Sequence, residues 1–180
     1  MNSIDFCELK IGAKELTPIS DDVIKSCLSG YTGKDAILRV LLFSTYAYDR
    51  DNELNEVIEY YYNMIDRVGT ILGVEYTSNE KTALVLTKLD DLLTRMDGSM
   101  LESLNEIIRL FEQVDDIGFD TEGMKYVSYL MRYRLLYLYS VFYDESHYVS
   151  MKNLLGRVKS EYEEYSRLRT FVYDTYATNY

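Results

Sequence analysis

The sequence predicts an all-α protein, a compact or slightly elongated bundle of six to seven helices, and three observations carry that prediction. Apolar residues recur at intervals of three and four through most segments after residue 20. Those segments are separated by short stretches containing Gly, Asp, Ser or Thr, which stop or cap helices. The single proline, Pro18, stands ahead of all of them, so no helix loses a backbone donor. Helix pairs on short loops also build tetratricopeptide-like and HEAT-like solenoids. No fixed-period repeat and none of their consensus residues is evident, which favours a bundle.

Residues 1–19 read as an N-terminal extended segment, and residues 20–180 as one helical domain. Within the first part, residues 4–11 alternate loosely and suggest a short strand or hairpin before Gly12. Ser20 with Asp21 and Asp22 makes an N-cap followed by acids in the first turn, where the helix dipole favours them, and Gly30 closes that first helix. Thr32-x-x-Asp35 opens a second, over about 33–48, with Ile37, Leu38, Val40, Leu41 and Leu42 apolar on more than one face. The third runs from near Asn52 to Leu72, where Leu54, Ile58, Tyr61, Ile65, Val68 and Leu72 form a bundle seam.

Thr77-x-x-Glu80 is a capping-box pattern for the fourth helix, whose stripe is Val85, Leu89, Leu92 and Met96. Ser99-x-x-Glu102 opens the fifth directly after Gly98, with Leu101, Leu104, Ile108, Phe111 and Val114 at helical spacing. So short a link makes the fourth and fifth antiparallel neighbours. The sixth, about 121–144, is apolar nearly all round and is expected at the centre of the core. It is not a membrane span, because Arg132 and Arg134 lie mid-helix among Tyr hydroxyls. The seventh, about 147–177, places Met151, Leu155, Val158, Tyr162, Tyr165, Arg169, Val172 and Tyr176 at 4, 3 spacing. Its length exceeds what the other helices are expected to cover.

The chain holds 19 Lys+Arg against 30 Asp+Glu, a formal charge of -11, which excludes a nucleic-acid binder working through a general basic surface. The acidity is local. Residues 49–66 carry one base and six acids, and residues 90–122 carry two bases and ten acids, whereas residues 123–180 are net +2. Glu53, Glu56 and Asp66 fall off the seam of the third helix. Asp90, Asp91, Asp97, Glu102, Glu106 and Glu112, continued by Asp115, Asp116 and Asp120, extend the acidity over the fourth and fifth. Such faces suit a basic surface on a partner protein. The C-terminal Arg, Lys and Tyr residues resemble a platform for single strands. Core-stripe spacing of Tyr126, Tyr133 and Tyr137 and an expected Glu163–Arg167 ion pair give the plainer account, so no direct nucleic-acid contact is expected.

No catalytic residue, metal site or cofactor is predicted. His147 is the only histidine and reads as a loop residue between the sixth and seventh helices. Gly30–Asp35 lacks the first glycine and the final Ser/Thr of a phosphate loop, and Asp49–Glu59 lacks the turn glycine and terminal acid of a calcium loop. Glu53-x-x-Glu56 and Glu112-x-x-Asp115 are the pairs on which a magnesium-dependent nucleotide hydrolase would depend, and their outward placement disfavours it. Arg132 and Arg134 must reach the surface, pair with acids of the third or fifth helix, or hold an anion.

The expectation is therefore a non-enzymatic protein-binding module, a stoichiometric inhibitor or adaptor whose acidic faces engage a partner protein with a basic surface, nucleic-acid-binding proteins being one such class. The rival is an assembly protein that forms homo-oligomers through a seam of Tyr162, Tyr165, Tyr173 and Tyr176. Two cysteines without CxxC spacing, and no basic start followed by an apolar core, fit a cytoplasmic protein. Small acidic helical chains without motifs are frequent among phage and viral products, which would place it in a host cytoplasm.

Overall fold

Ser20 caps the first helix as predicted, its hydroxyl accepting from the Val23 amide at 3.3 Å. In the computed structural model, which describes residues 20–41, 54–93, 101–114, 120–141 and 145–177, that helix is α1, Asp21–Cys27. It is followed by α2 (Ile37–Leu41), α3 (Leu54–Leu72), α4 (Ser78–Leu93), α5 (Leu101–Val114), α6 (Glu122–Val141) and α7 (Tyr148–Tyr176). All regular structure among the described residues is helical, an all-α bundle of seven helices. The strand or hairpin expected over residues 4–11 lies outside the described residues.

The start of the second helix differs from its prediction. Thr32 does not cap it; Gly33, at φ +84°, leads into a 3-10 turn, Lys34–Ala36, with no side-chain cap. The reason is that Asp35 is engaged elsewhere. Its carboxylate accepts from the Thr121 hydroxyl and, at 3.0 Å, from the Gly123 amide, and so caps α6 from a distant part of the chain. Thr121 adds its own cap by accepting from the Met124 amide at 3.2 Å. One residue earlier, the Lys34 ammonium lies 2.8 Å from Glu80, and the Tyr76 hydroxyl donates to the Lys34 carbonyl at 2.6 Å. Glu80 also completes the predicted capping box, accepting from the Thr77 amide at 2.9 Å while the Glu80 amide donates to the Thr77 hydroxyl at 3.2 Å. Burial pushes the Glu80 carboxyl up, but the Lys34 and Thr77 hydrogen bonds outweigh it and hold the group below its ordinary value.

The core is one cluster with α6 at its centre, as expected: among the described residues α6 supplies more of the buried apolar side chains than any other helix, and it packs against α4, α5 and α7. Every side chain from Ala83 to Lys88 is buried, because α3, α5 and α6 pack around α4 while α2 closes one end. On α3 the fully buried positions are Val57, Tyr61, Met64, Ile65 and Val68. Ile58 and Leu72 of the predicted seam are only half-buried. Ile108, Phe111 and Val114 of α5 are buried as expected, joined by Ile107.

The far end of α7 is also covered, contrary to the expectation from its length. Arg39, in the middle of the apolar run of α2, is buried. Its Nε donates to the Cys27 carbonyl at 3.0 Å and its Nη1 to the Tyr176 carbonyl at 2.7 Å. The guanidinium lies 4.6 Å from the Tyr31 ring centre, and Tyr31 meets the Tyr176 ring at 5.9 Å. A cation there suits the carbonyl-rich ends of α1 and α7.

Gly123 is where these constraints are tightest. A Cβ at this position would lie 2.6 Å from Asp35 Cγ and 2.8 Å from Leu38 Cδ1. Gly123→Ala is expected to lower unfolding free energy by about 1–3 kcal/mol in urea titration, because α2 and α6 must separate to admit the methyl. An unchanged midpoint would show that the contact between Asp35 and α6 is not close in solution.

Candidate functional site

The residues singled out for interaction divide between the interface of α6 with α7, the outer face of α7, and the acidic faces of α3 and α5. Arg132, 7% exposed, points between α6 and α7, where its Nη1 donates to Glu161 at 2.7 Å and its guanidinium lies 4.8 Å from the Tyr129 ring centre. Its acid comes from the seventh helix and not the third or fifth, because α7 is the helix laid along this side of α6. Arg134 is half-buried beside Tyr165. Burial raises the Tyr165 phenol, and the charges of Arg134 and Arg169 only partly counter it.

The tyrosines expected to form one oligomer seam separate into two sets. Tyr165 stacks on Tyr126 at 5.8 Å and 18° and meets the Tyr133 ring at 4.4 Å, and Tyr176 is buried against Tyr31. Both belong to the core. Tyr162, 61% exposed, and Tyr173, 42% exposed, face outward. The 4, 3 spacing predicted for α7 alternates between the faces: Val158, Val172 and Tyr176 are buried, while Leu155, Tyr162 and Arg169 are exposed. The buried stripe runs instead through Leu154, Val158, Tyr165, Leu168 and Val172.

A second stripe appears on the outside of α7. Tyr148, Lys152, Leu155, Lys159, Tyr162, Ser166, Arg169 and Tyr173 follow one another at 4, 3 spacing, and all eight are exposed. It extends about 38 Å at 1.5 Å per residue. Aromatic or aliphatic residues occupy four positions and cations three, with no acid among them. Arg169 lies against the Tyr173 ring at 4.9 Å. Arg167, off this stripe, pairs with Glu164 at 2.6 Å and with Glu122 of α6 at 2.9 Å, not with Glu163 as its spacing suggested.

The described acidic residues are outward-facing but unequal. Glu56 and Asp66 are exposed, and with Glu59, Asn63 and Thr70 they form an outer stripe on α3 at 3, 4 spacing. Asp66 lies 2.7 Å from Lys81. Asp120 is exposed. Glu112 accepts from the Tyr139 hydroxyl at 2.5 Å and lies 3.5 Å from His147 Nε2. His147 is accordingly not a loop histidine in open solvent; it is half-buried at the head of α7, with its ring 5.1 Å from that of Tyr139. Glu53, Asp97, Asp115 and Asp116 lie outside the described residues, and so do the side chains of Asp90, Asp91, Glu102 and Glu106.

No protein-family model, curated protein or solved structure matches the chain. Among the described residues no group of three or more His, Cys, Asp or Glu is placed to hold a metal ion, and no helix is long and apolar enough to cross a membrane. The residues that sequence reasoning missed are Lys34, Asp35 and Arg39. A lone arginine inside Ile37–Leu42 was a usable signal, since a buried guanidinium needs acceptors. Asp35 offered none, because its partners are 86 and 88 residues away.

Removing the partner of the buried Arg132 is expected to cost more than removing an exposed charge. Glu161→Gln should lower unfolding free energy by about 1–3 kcal/mol in denaturant titration. Arg167→Ala, at a solvated site, should leave the midpoint where it is. Equal effects would contradict the burial of Arg132.

Alkaline unfolding should report the buried phenols. Burial, with smaller effects from Asp35 and Tyr31, pushes Tyr176 up to about 12, and burial raises Tyr76 and Tyr126 as well. A raised folded value favours the neutral phenol, so this stability is intact below the unfolded value of about 10. It is lost as pH rises towards and beyond the folded values. Phenolate absorbance is expected to appear in two stages, exposed rings first and these three with loss of helix. Titration of every tyrosine near its ordinary value without unfolding would contradict it.

Proposed function

We propose that the protein is a non-enzymatic binding module, a stoichiometric inhibitor or adaptor whose acidic outer face engages a basic surface on another protein. The observation that carries this reading is the acidity of the outer face of α3. Glu56, Glu59 and Asp66 lie on its exposed stripe with Asn63 and Thr70, and no base stands among the five. Charge collected on one face steers association and discriminates against partners of the same sign more than it adds affinity. A cytoplasmic setting, phage or viral origin, and action on a nucleic-acid-binding protein belong to this proposal as its biological frame.

A second reading, assembly through α7, is favoured by the exposed outer stripe. Its seam is Tyr148, Leu155, Tyr162 and Tyr173, since Tyr165 and Tyr176 are used inside the molecule.

The first reading is tested by affinity capture from the native host with the wild type and with Glu56→Lys/Glu59→Lys, followed by mass spectrometry. Capture of a cationic protein that falls as salt is raised and is lost in the double variant is the expected result. Binding indifferent to salt and to both substitutions would count against it.

A further inference from the structure

We propose that one basic partner of the acidic α3 face is a second copy of this chain, which presents the outer stripe of α7. The contact is head-to-tail: α7 of one copy lies on α3 of the next. This inference rests on the reading of the acidic face as a docking surface and names an occupant for it.

Three observations support that pairing. The first is exposure. The α7 stripe leaves Tyr148, Leu155 and Tyr162 in solvent on one line. A run of aromatic and aliphatic side chains along one surface marks an interaction site more often than scattered ones do. The second is charge. The stripe itself carries Lys152, Lys159 and Arg169 without an acid, with the exposed acids Glu163 and Asp174 at its border, so two copies joined stripe to stripe would oppose like charges. In the antiparallel register that sets Lys159 against Tyr162, Lys152 falls opposite Arg169. An acidic surface is therefore the better complement.

The third is spacing. Lys152 and Lys159 are seven residues apart, as are Glu59 and Asp66 on α3. Lys159 and Arg169 are ten apart, as are Glu56 and Asp66. In one register Lys152 and Lys159 therefore face Glu59 and Asp66, roughly 10 Å apart at 1.5 Å per residue; the ten-residue match belongs to a different register, so the two are alternatives. Tyr60 and Tyr62, half-buried on either side of the acidic stripe, offer apolar edges to Leu155 and Tyr162. Lys81 near Asp66 is no obstacle, because an exposed pair of this kind is weak and exchangeable.

A contact between two different surfaces of the same molecule does not close on itself as a two-fold dimer does; it continues into a ring or an open chain. That property supplies the test. Sedimentation should show wild-type mass rising past the dimer with concentration. Lys152→Gln/Lys159→Gln and Glu56→Gln/Glu59→Gln should each be monomeric, with circular dichroism and thermal midpoints like the wild type, since all four side chains are exposed. Mixed in equal amounts, the two variants should form a 1:1 dimer that grows no further, because each supplies the surface the other lacks.

A wild type that stays monomeric at millimolar concentration would overturn the proposal. So would an assembly that survives the α3 substitutions, or variants that fail to complement, which would mean an α7-to-α7 contact. Should the wild type be monomeric while Glu56→Lys/Glu59→Lys still abolishes capture of a cationic protein, the self-pairing fails and the binding-module reading stands.

Discussion

The architecture depends on a short 3-10 turn whose two charged side chains point to different helices. Lys34 reaches Glu80 at the start of α4, and Asp35 reaches Thr121 and Gly123 at the start of α6. The first amides of a helix have no partner within it, so a carboxylate supplied from elsewhere satisfies them and also meets the positive end of the dipole. Because α4 and α6 are the helices around which the rest pack, fixing their starts relative to one another fixes the frame. The phenol of Tyr76 closes the same junction by bonding the Lys34 carbonyl. A segment resembling a broken phosphate loop is thus better understood as a bracket.

On that frame, α7 lies along α6 with its inner face apolar and its outer face available. The interface is specified by side chains of unlike kind. Tyr126 and Tyr133 receive Tyr165 by ring contact, Arg132 takes Glu161, and Arg167 reaches Glu122 at the exposed edge. Aromatic stacking tolerates some sliding, whereas a buried guanidinium bonded to one carboxylate does not. Arg132 therefore sets the position of α7 along α6, and that position decides which residues form the outer stripe.

Local features were legible in the sequence and distant pairings were not. Ser20, the Thr77–Glu80 box and the stripe Ile108, Phe111 and Val114 are local patterns, and each appears where the spacing puts it. Thr32 failed as a cap because the competing use of Asp35 involves residues more than eighty positions away. The seam of α7 was misplaced for a different reason. Buried and outer stripes of α7 both follow 4, 3 spacing, and the predicted series straddles their boundary, so its alternate members fall on the buried side and on the exposed side. Tyr165 and Tyr176 were consequently grouped with Tyr162 and Tyr173, although the first two serve the core. Nothing local could show that the acid for Arg132 is Glu161 of α7 and not one from the third or fifth helix, since that depends on how α6 and α7 are aligned.

Arg39 bonds one carbonyl 137 positions further along the chain and another 12 positions back, holding the last turn of α7 to the end of α1. For a chain emerging from the ribosome, the opening helices must wait for nearly the whole sequence before this bond can form. Helices α3 to α6 can pack as they appear, by contacts between neighbours. Loss of the last turn of α7 would take from the buried Arg39 guanidinium one of its two carbonyl acceptors.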